Sequence, residues 1–536
     1  MALVRIDNLS FKYALGKTEA LSNVSFEIEE GEYVLLTGAS GCGKTTLIRQ
    51  LKPELAPAGE KSGSVVYSGI PIEKLDQKRA AAEIGFVQQN PDNQIVTDYV
   101  WHELAFGLEC LGENVGTIRR RVAETAAFFG MEDYFRSKTY ALSGGQKQLV
   151  NLAGVLAMNP RLLILDEPTA MLDPLAARTL LDAVNRINKE LGVAVLITEH
   201  RLEQVLPAAD KTIVMDGGRI ISCGKTEDTI KSICQRKEKD RLFFGMSAPV
   251  RIFASLGAEE LPLTVRDARI KLNNMLCGKK AEPLKIETKK AGEEALIAKD
   301  IWFRYAEGKD DVLRGAEISL REGELMCLMG GNGAGKSTLL NVLCSLIRPY
   351  RGKIKLKGGK KLCMLPQNAR TLFNTDTVLA ELEDAADGNN SRAMEMAERF
   401  ELTNLLNSHP YDLSGGETQR LAMGKLLMKN ADVLLLDEPT KGLDAYAKQE
   451  LAKMLKSLCA EGKAILTVTH DTDFAAQYAD ECAMMFDGGI ISRSEPHEFF
   501  GGNRFYTTDA NRIAGDIAPG CVTAEEVAAA CKKLLA

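Results

Sequence analysis

The sequence predicts an α/β protein built as two copies of one parallel-sheet domain. Three observations carry that expectation: landmarks recur in the same order, short apolar runs stop at glycine, aspartate or histidine, and helical stretches alternate with those runs. Tyr13 and Tyr305 stand 292 residues apart, and so do Lys44 and Lys336. Farther on, the offset falls to 278 for Gln89 and Gln367, to 271 for Ser143 and Ser414 and for Asp166 and Asp437, and to 270 for His200 and His470. The second copy is therefore shorter only in its middle, where an inserted subdomain is expected to vary.

The runs "YVLLTG", "RLLILDE" and "VAVLITEH" recur as "LMCLMG", "VLLLDE" and "AILTVTH". They are rich in residues that suit strands and too short for buried helices. Separated by stretches such as "TTLIRQL" and "STLLNVL", they read as buried parallel strands with chemistry at their ends. Between the copies, over 235–294, neither pattern holds. "QRKEKDR" and "KKAEPLKIETKK" are charged and linker-like, while "LPLTVRDARIKLNNML" has helical spacing with Thr264 placed to cap it. The expected division is therefore a first domain over 1–234, a partly helical linker over 235–294 whose charges form a solvated face, a second domain over 295–500, and a helical tail over 501–536.

A chain of 536 residues exceeds what one core can serve. Its net charge of -6 argues against a protein devoted to neutralising nucleic-acid phosphate. The twelve cysteines include no C-x-x-C pair, so no zinc site or disulfide framework is suggested and a reducing compartment fits. The start, "MALVRIDNLSFKY", lacks a secretory pattern, and no run approaches 18 apolar residues. A membrane role is expected only through a partner.

"GASGCGKTT" matches the phosphate-loop spacing G-x-x-x-x-G-K-[ST], with a strand before and a helix after. Gly38, Gly41 and Gly43 let the backbone curl through Ala39, Ser40 and Cys42 so that its N–H groups point inward. Lys44 then brings charge to the β and γ phosphates, and Thr45, followed by Thr46, offers a hydroxyl to Mg²⁺. The second copy repeats this as Gly330, Gly331, Asn332, Gly333, Ala334, Gly335, Lys336, Ser337 and Thr338.

Asp166–Glu167 and Asp437–Glu438 end apolar strands. Beside a phosphate loop, the aspartate can hold Mg²⁺ and the glutamate can take a proton from the attacking water. Glu167 and Glu438 are the expected general bases. His200 and His470 close the following strands and are read as γ-phosphate contacts, with Gln89 and Gln367 completing the magnesium shell. Tyr13 and Tyr305 either stack on adenine or stand at the edge of the core.

A glycine-rich turn opens a helix in each copy as "LSGGQKQLV" and "LSGGETQRL". The order of aromatic, phosphate loop, Gln, LSGGQ, Asp-Glu, a following Asp173 or Asp444, and His resembles the ATP-binding-cassette (ABC) ATPase family through both copies. That resemblance implies an antiparallel β portion and a helical subdomain in each domain, ATP with Mg²⁺, and two cassettes meeting head to tail as an intramolecular pseudo-dimer. Ser143, Gly144 and Gly145 would then face the nucleotide on Lys336, and Ser414, Gly415 and Gly416 that on Lys44. Asp173 and Asp444 would sit where the halves cross. Both sites should hydrolyse ATP; Glu417, in place of the first copy's glutamine, leaves open whether their rates are equal.

"FVQQNPDNQIVTDYVWHELAFGL" and the tail "FYTTDANRIAG" are similar to the ATPases of energy-coupling factor (ECF) transporters. The resemblance implies an integral membrane T component, a substrate-binding S component, and a vitamin, vitamin precursor or transition-metal ion as cargo. The chain would then be cytoplasmic and peripheral on the cell membrane. Asp92 and Gln94 would dock a basic residue of a coupling helix; alternatively Asp92 caps the next turn. "LPQNARTLFNTDTVLAEL" lacks the Pro-Asp, so the two docking grooves should differ. An ATPase of another ABC importer, or a soluble ribosome-binding ABC-F protein, are the rival readings. The latter calls for a longer, more strongly charged linker.

Overall fold

The computed structural model describes residues 2–14, 16, 18–236, 241–284 and 292–535. Its two units are Met1–Val250 with Glu259–Thr264, and Arg251–Ala258 with Val265–Ala536.

In the first unit an antiparallel sheet, ordered β2-β1-β4-β5, comprises β1 (Val4–Tyr13), β2 (Leu21–Ile28), β4 (Gly59–Tyr67) and β5 (Ile70–Pro71). The larger sheet is ordered β10-β9-β3-β8-β7-β6 and contains β3 (Tyr33–Gly38), β6 (Ile84–Val87), β7 (Leu162–Asp166), β8 (Ala194–Thr198), β9 (Lys211–Asp216) and β10 (Arg219–Lys225). Only β10 runs antiparallel to its neighbour. Every residue of β3, β6, β7 and β8 is buried, which explains why these strands read as continuous apolar runs rather than alternating ones.

The helices of this part are α1 (Lys44–Arg49), α2 (Gln77–Glu83), α3 (Val100–Cys110), α4 (Val115–Phe129), α5 (Gly144–Ala157), α6 (Pro174–Leu191), α7 (Leu202–Val205) and α8 (Thr226–Cys234). α3, α4 and α5 close a separate small core around Val100, Leu104, Leu108, Val122, Val150 and Ala153. This core positions the turn at Ser143.

The second unit repeats the order. β11 (Glu294–Phe303), β12 (Leu313–Arg321) and β14 (Arg351–Leu356) form the sheet β12-β11-β14. β13 (Leu325–Met329), β15 (Leu362–Leu365), β16 (Val433–Asp437), β17 (Ala464–Val468), β18 (Glu481–Phe486) and β19 (Gly489–Ser494) form β15-β16-β17-β13-β18-β19, the first unit's order read from the other edge. Its shortening is not confined to the helical part. No counterpart of β5 or α2 lies between β14 and β15, and α13 (Val378–Ala385) and α14 (Asn390–Arg399) have 8 and 10 residues where α3 and α4 have 11 and 15. α12 (Lys336–Leu343), α15 (Gly415–Met428), α16 (Ala445–Ala460) and α17 (Thr472–Tyr478) complete the repeat.

Helices α9 (Arg241–Phe244), α10 (Ala248–Ser255) and α11 (Val265–Leu276) occupy the stretch read as a linker, and α18 (Pro496–Gly502), α19 (Asp509–Ala514) and α20 (Ala524–Leu535) end the chain. The helix expected after Thr264 is α11. It is not a free spacer, because it packs on α19 and α20 within the second unit. Polar contacts tie these elements together: Arg251 pairs with Glu525, Arg269 pairs with Asp516, and Lys279 Nζ donates to the Leu534 carbonyl at 3.0 Å. Of the two charged stretches, residues 237–240 and 285–290 lie outside the described residues. Among the described residues, no helix is long and apolar enough to cross a membrane.

Candidate active sites

Each phosphate loop connects the end of a buried central strand to a helix whose first residue is the lysine. Gly43 and Gly335 sit at the helix N-termini with φ of 101° and 102°, and a Cβ there would come within 2.7 Å of the Ala20 carbonyl or 2.8 Å of that of Val312. Only glycine satisfies both the left-handed backbone and the close approach. At Gly41 and Gly333, φ is 76° and 77° and a Cβ would meet nothing within 4 Å, so these loops curl while leaving room above them. Cys42 is buried and burial pushes its thiol up, which makes it a packing residue.

Lys44 Nζ donates to the carbonyls of Gly38 and Ala39 at 3.0 and 3.1 Å, and Lys336 Nζ to those of Gly330 and Gly331 at 3.0 and 2.9 Å. The two lysines are 4% and 6% exposed, so each loop encloses an ammonium group folded back on its own backbone. A buried ammonium inside a curled glycine-rich loop at a helix N-terminus fits a polyphosphate.

The magnesium position expected from sequence also fits its donors. Thr45 Oγ1 donates to Asp166 Oδ1 at 3.0 Å, which places a hydroxyl and a carboxylate together at the foot of the loop. Burial raises the Asp166 carboxyl, with Glu167 acting in the same direction and Thr45 and Thr198 opposing it. Asp437 is raised likewise by burial, against a hydrogen bond from Ser337. A cation would favour the charged form of each aspartate. Among the described residues no cluster of three metal-binding acids, histidines or cysteines exists, so such an ion would rely on hydroxyl, amide and phosphate oxygens besides one carboxylate.

The glutamines differ between copies. Gln89 Nε2 donates to Glu167 Oε2 at 3.0 Å, whereas Gln367 is exposed and makes no hydrogen bond to Glu438 among the described residues. The histidines reach the glutamates: His200 Nε2 lies 2.8 Å from Glu167 Oε1, and His470 Nε2 3.1 Å from Glu438 Oε1. Burial would raise Glu438, but His470, helped by Lys441 and Lys336, outweighs it and holds the carboxyl below its ordinary range. Glu167 and Glu438 carry φ of 44° and 49°, a left-handed backbone that glutamate rarely adopts. Strand-end bonds hold them there. The Glu167 N–H donates to Thr198 O and Oγ1 at 3.1 and 2.8 Å, and that of Glu438 to Val468 O at 2.9 Å.

The tyrosine hydroxyls reach the same loops. Tyr13 Oη lies 2.8 Å from Thr46 Oγ1 and Tyr305 Oη 3.0 Å from Thr338 Oγ1, with the rings edge-on to Phe11 and Phe303. Both rings are exposed.

Ser143 and Ser414 each form a capping box, with Gln146 and Glu417. A Cβ at Gly144 would meet nothing within 4 Å, whereas one at Gly145 would press on Ala176 at 2.7 Å. Asp173 and Asp444 cap α6 and α16 through their side chains. The Asp92 side chain accepts no capping N–H among the described residues; Asp92 lies inside the turn Pro91–Asn93, which Asn90 caps. The Asp92 carboxylate instead takes a 2.6 Å bond from Lys147 in α5. Gln94 is spent inside its own loop, accepting from Gln88 N at 2.9 Å and donating to Phe86 O at 3.0 Å.

Two features escaped the motif reading. Glu103 and Glu381, both buried, accept backbone N–H bonds from the loops before them, from Val96 and Thr97 and from Asn374 and Thr375, and Glu381 also pairs with Lys425. Their offset of 278, shared with Gln89 and Gln367, was the available signal. The other is Glu199, 2% exposed, whose counterpart Thr469 is neutral.

Such paired loops, strand-end acids and capped glycine turns define a nucleoside-triphosphate hydrolase with two cassettes. The family model described as ABC transporter matches residues 21–170 and 313–441, and the chain belongs to that family as an ATP-binding ATPase. It is 41% identical to a Bacillus anthracis protein provisionally named an ABC transporter ATP-binding protein, over 99% of each chain. It is 34% identical to Bacillus subtilis YkoD, provisionally named an HMP/thiamine import ATP-binding protein, over 93% of this chain and 92% of that one. An archaeal ribosome recycling factor, aABCE1, solved with ribosomal stalk protein aP1, aligns with a TM-score of 0.59 over 92% of this chain and 91% of that chain. At 20% identity that likeness is one of fold alone.

Proposed function

We propose that this chain is the ATP-hydrolysing subunit of an ECF-type importer of a vitamin, vitamin precursor or transition-metal ion, peripheral on the cytoplasmic face of the membrane. The carrying observation is the loop "QQNPDNQ", in which Gln89 contacts the base Glu167 while Asp92, two-thirds exposed, is fastened to the signature helix by Lys147. A partner pressing on Asp92 could thus be felt both at the glutamate and at the signature turn. The whole-length similarity to YkoD supports import.

In the proposed cycle Lys44 and Lys336 leave their own carbonyls for phosphate oxygens. Glu167 and Glu438 accept the proton of the attacking water, and His200 and His470 hold those carboxylates in place. Thr45, Gln89 and Asp166, with Ser337, Gln367 and Asp437, would hold Mg²⁺, which neutralises phosphate charge. Ser143, Gly144 and Gly145 complete the site on Lys336 in the closed state, and Ser414, Gly415 and Gly416 that on Lys44. Closing such a clamp from 1:99 to 99:1 takes about 5.5 kcal/mol, roughly half from each nucleotide.

Affinity purification of the tagged chain from detergent-solubilised membranes tests the assignment. Co-purification of an integral T component with a small S component is expected. Recovery of ribosomal proteins without integral subunits would overturn it.

A further inference from the structure

Tyr506, in the turn between α18 and α19, belongs to none of the motifs shared by the two copies. Its hydroxyl accepts the N–H of Gly330 at 3.3 Å. The carbonyl of the same glycine accepts Lys336 Nζ at 3.0 Å. Gly330 is thus held from two directions, by the tail at its N–H and by the loop lysine at its carbonyl. It has little freedom to adapt, since its φ is 147° and a Cβ would come within 2.3 Å of Met485 O.

The tyrosine is itself fixed. Thr507 Oγ1 donates to Phe500 O at 2.6 Å, Thr508 Oγ1 to Val522 O at 2.6 Å, and Asn511 Nδ2 to Phe500 O and Thr507 Oγ1 at 3.1 and 3.0 Å. The ring packs against the apolar cluster that includes Met329, Cys482 and Phe500. Burial raises its hydroxyl pKa, so it stays a neutral acceptor at physiological pH. Among the described residues, no side chain of the first unit bonds the Gly38 N–H. At an offset of 270 stands Arg236, which donates to Ile221 O at 3.1 Å.

We propose that Tyr506 is a positioning residue for ATP binding at the second phosphate loop, through which the C-terminal helices tune that site and not the first. The proposal rests on reading Gly330–Thr338 as an ATP loop. Losing the hydroxyl leaves a loop N–H without its partner, so the loop is less ordered before ATP arrives.

Calorimetric titration of the full-length chain with ATPγS and Mg²⁺ tests this. In a Lys44→Ala chain, where binding reports the second loop, Tyr506→Phe should weaken binding about three- to tenfold. In a Lys336→Ala chain, which reports the first loop, the same change should leave Kd unaltered. Hydrogen exchange should quicken in peptides covering 325–336 and stay constant in those covering 33–44. An unaltered second-loop Kd, or equal weakening in both backgrounds, would overturn the proposal. Two binding events persisting in Lys336→Ala would overturn the loop assignment beneath it.

Discussion

Ser414 Oγ donates to Glu417 Oε2 at 2.7 Å, so in the second signature turn the serine hydroxyl proton is held by a carboxylate three residues away. In the first turn Gln146 accepts only the Ser143 N–H, at 2.9 Å. The capping box survives the exchange of glutamine for glutamate, but the second helix gains a negative charge at the end meant for an anion. Glu417→Gln keeps the box and frees the hydroxyl. It should raise steady-state ATP turnover about two- to fivefold, the scale of one net hydrogen bond. Unchanged or lower turnover in a coupled-enzyme assay would show that Glu417 does not restrain the turn.

Glu167→Gln and Glu438→Gln retain side-chain shape while removing the proton acceptor. Each should lower hydrolysis at its own site by at least about 100-fold, the usual share of a general base, while ATP affinity stays within about twofold. Quenched-flow hydrolysis beside equilibrium binding separates the two effects. Undiminished hydrolysis in either variant would remove that glutamate from the role.

Glu199 makes a pH-dependent contribution absent from the second copy. Its Oε1 accepts the Thr169 N–H at 3.0 Å, and burial pushes its carboxyl from 4.5 up to about 6. The folded chain therefore binds this proton more tightly than the unfolded one. The associated stability is full below pH 4.5 and is lost as pH rises through about 6. Glu199→Gln should thus stabilise the chain above pH 7 by about 2 kcal/mol and do little below pH 4.5, as read by urea unfolding. A shift of the same size at both pH values would contradict the assignment.

Asp92→Lys replaces an ion pair with Lys147 by a like-charge contact on an exposed loop. Co-purification with the integral membrane subunits should be lost, while ATPγS binding is retained. Normal co-purification would show that Asp92 takes no part in docking.

The sheet, the phosphate loops and the capped turns were legible in the sequence because each rests on local constraints. The fully buried β3 must be apolar throughout, and Gly43 must be glycine for its φ and its neighbour Ala20. Contacts between residues far apart in the chain were not legible. Nothing local marks Tyr506 as a partner of Gly330, or Arg251 and Arg269 as ties to the tail. The two bonds by which Gln94 closes on the backbone of its own loop were not legible either, since spacing alone does not show which way a side chain turns. The histidines were placed at the correct strand ends, but their first contacts are the glutamates.

The pairing of each signature turn with the other cassette's phosphate loop is tested most directly by single-turnover ATP hydrolysis in two double variants. Ser143→Arg with Glu438→Gln puts both changes into one proposed site, and Ser143→Arg with Glu167→Gln divides them between two. Completion in trans predicts that the first double variant matches Glu438→Gln alone, while the second falls to background. Background hydrolysis in the first together with retained hydrolysis in the second would contradict it.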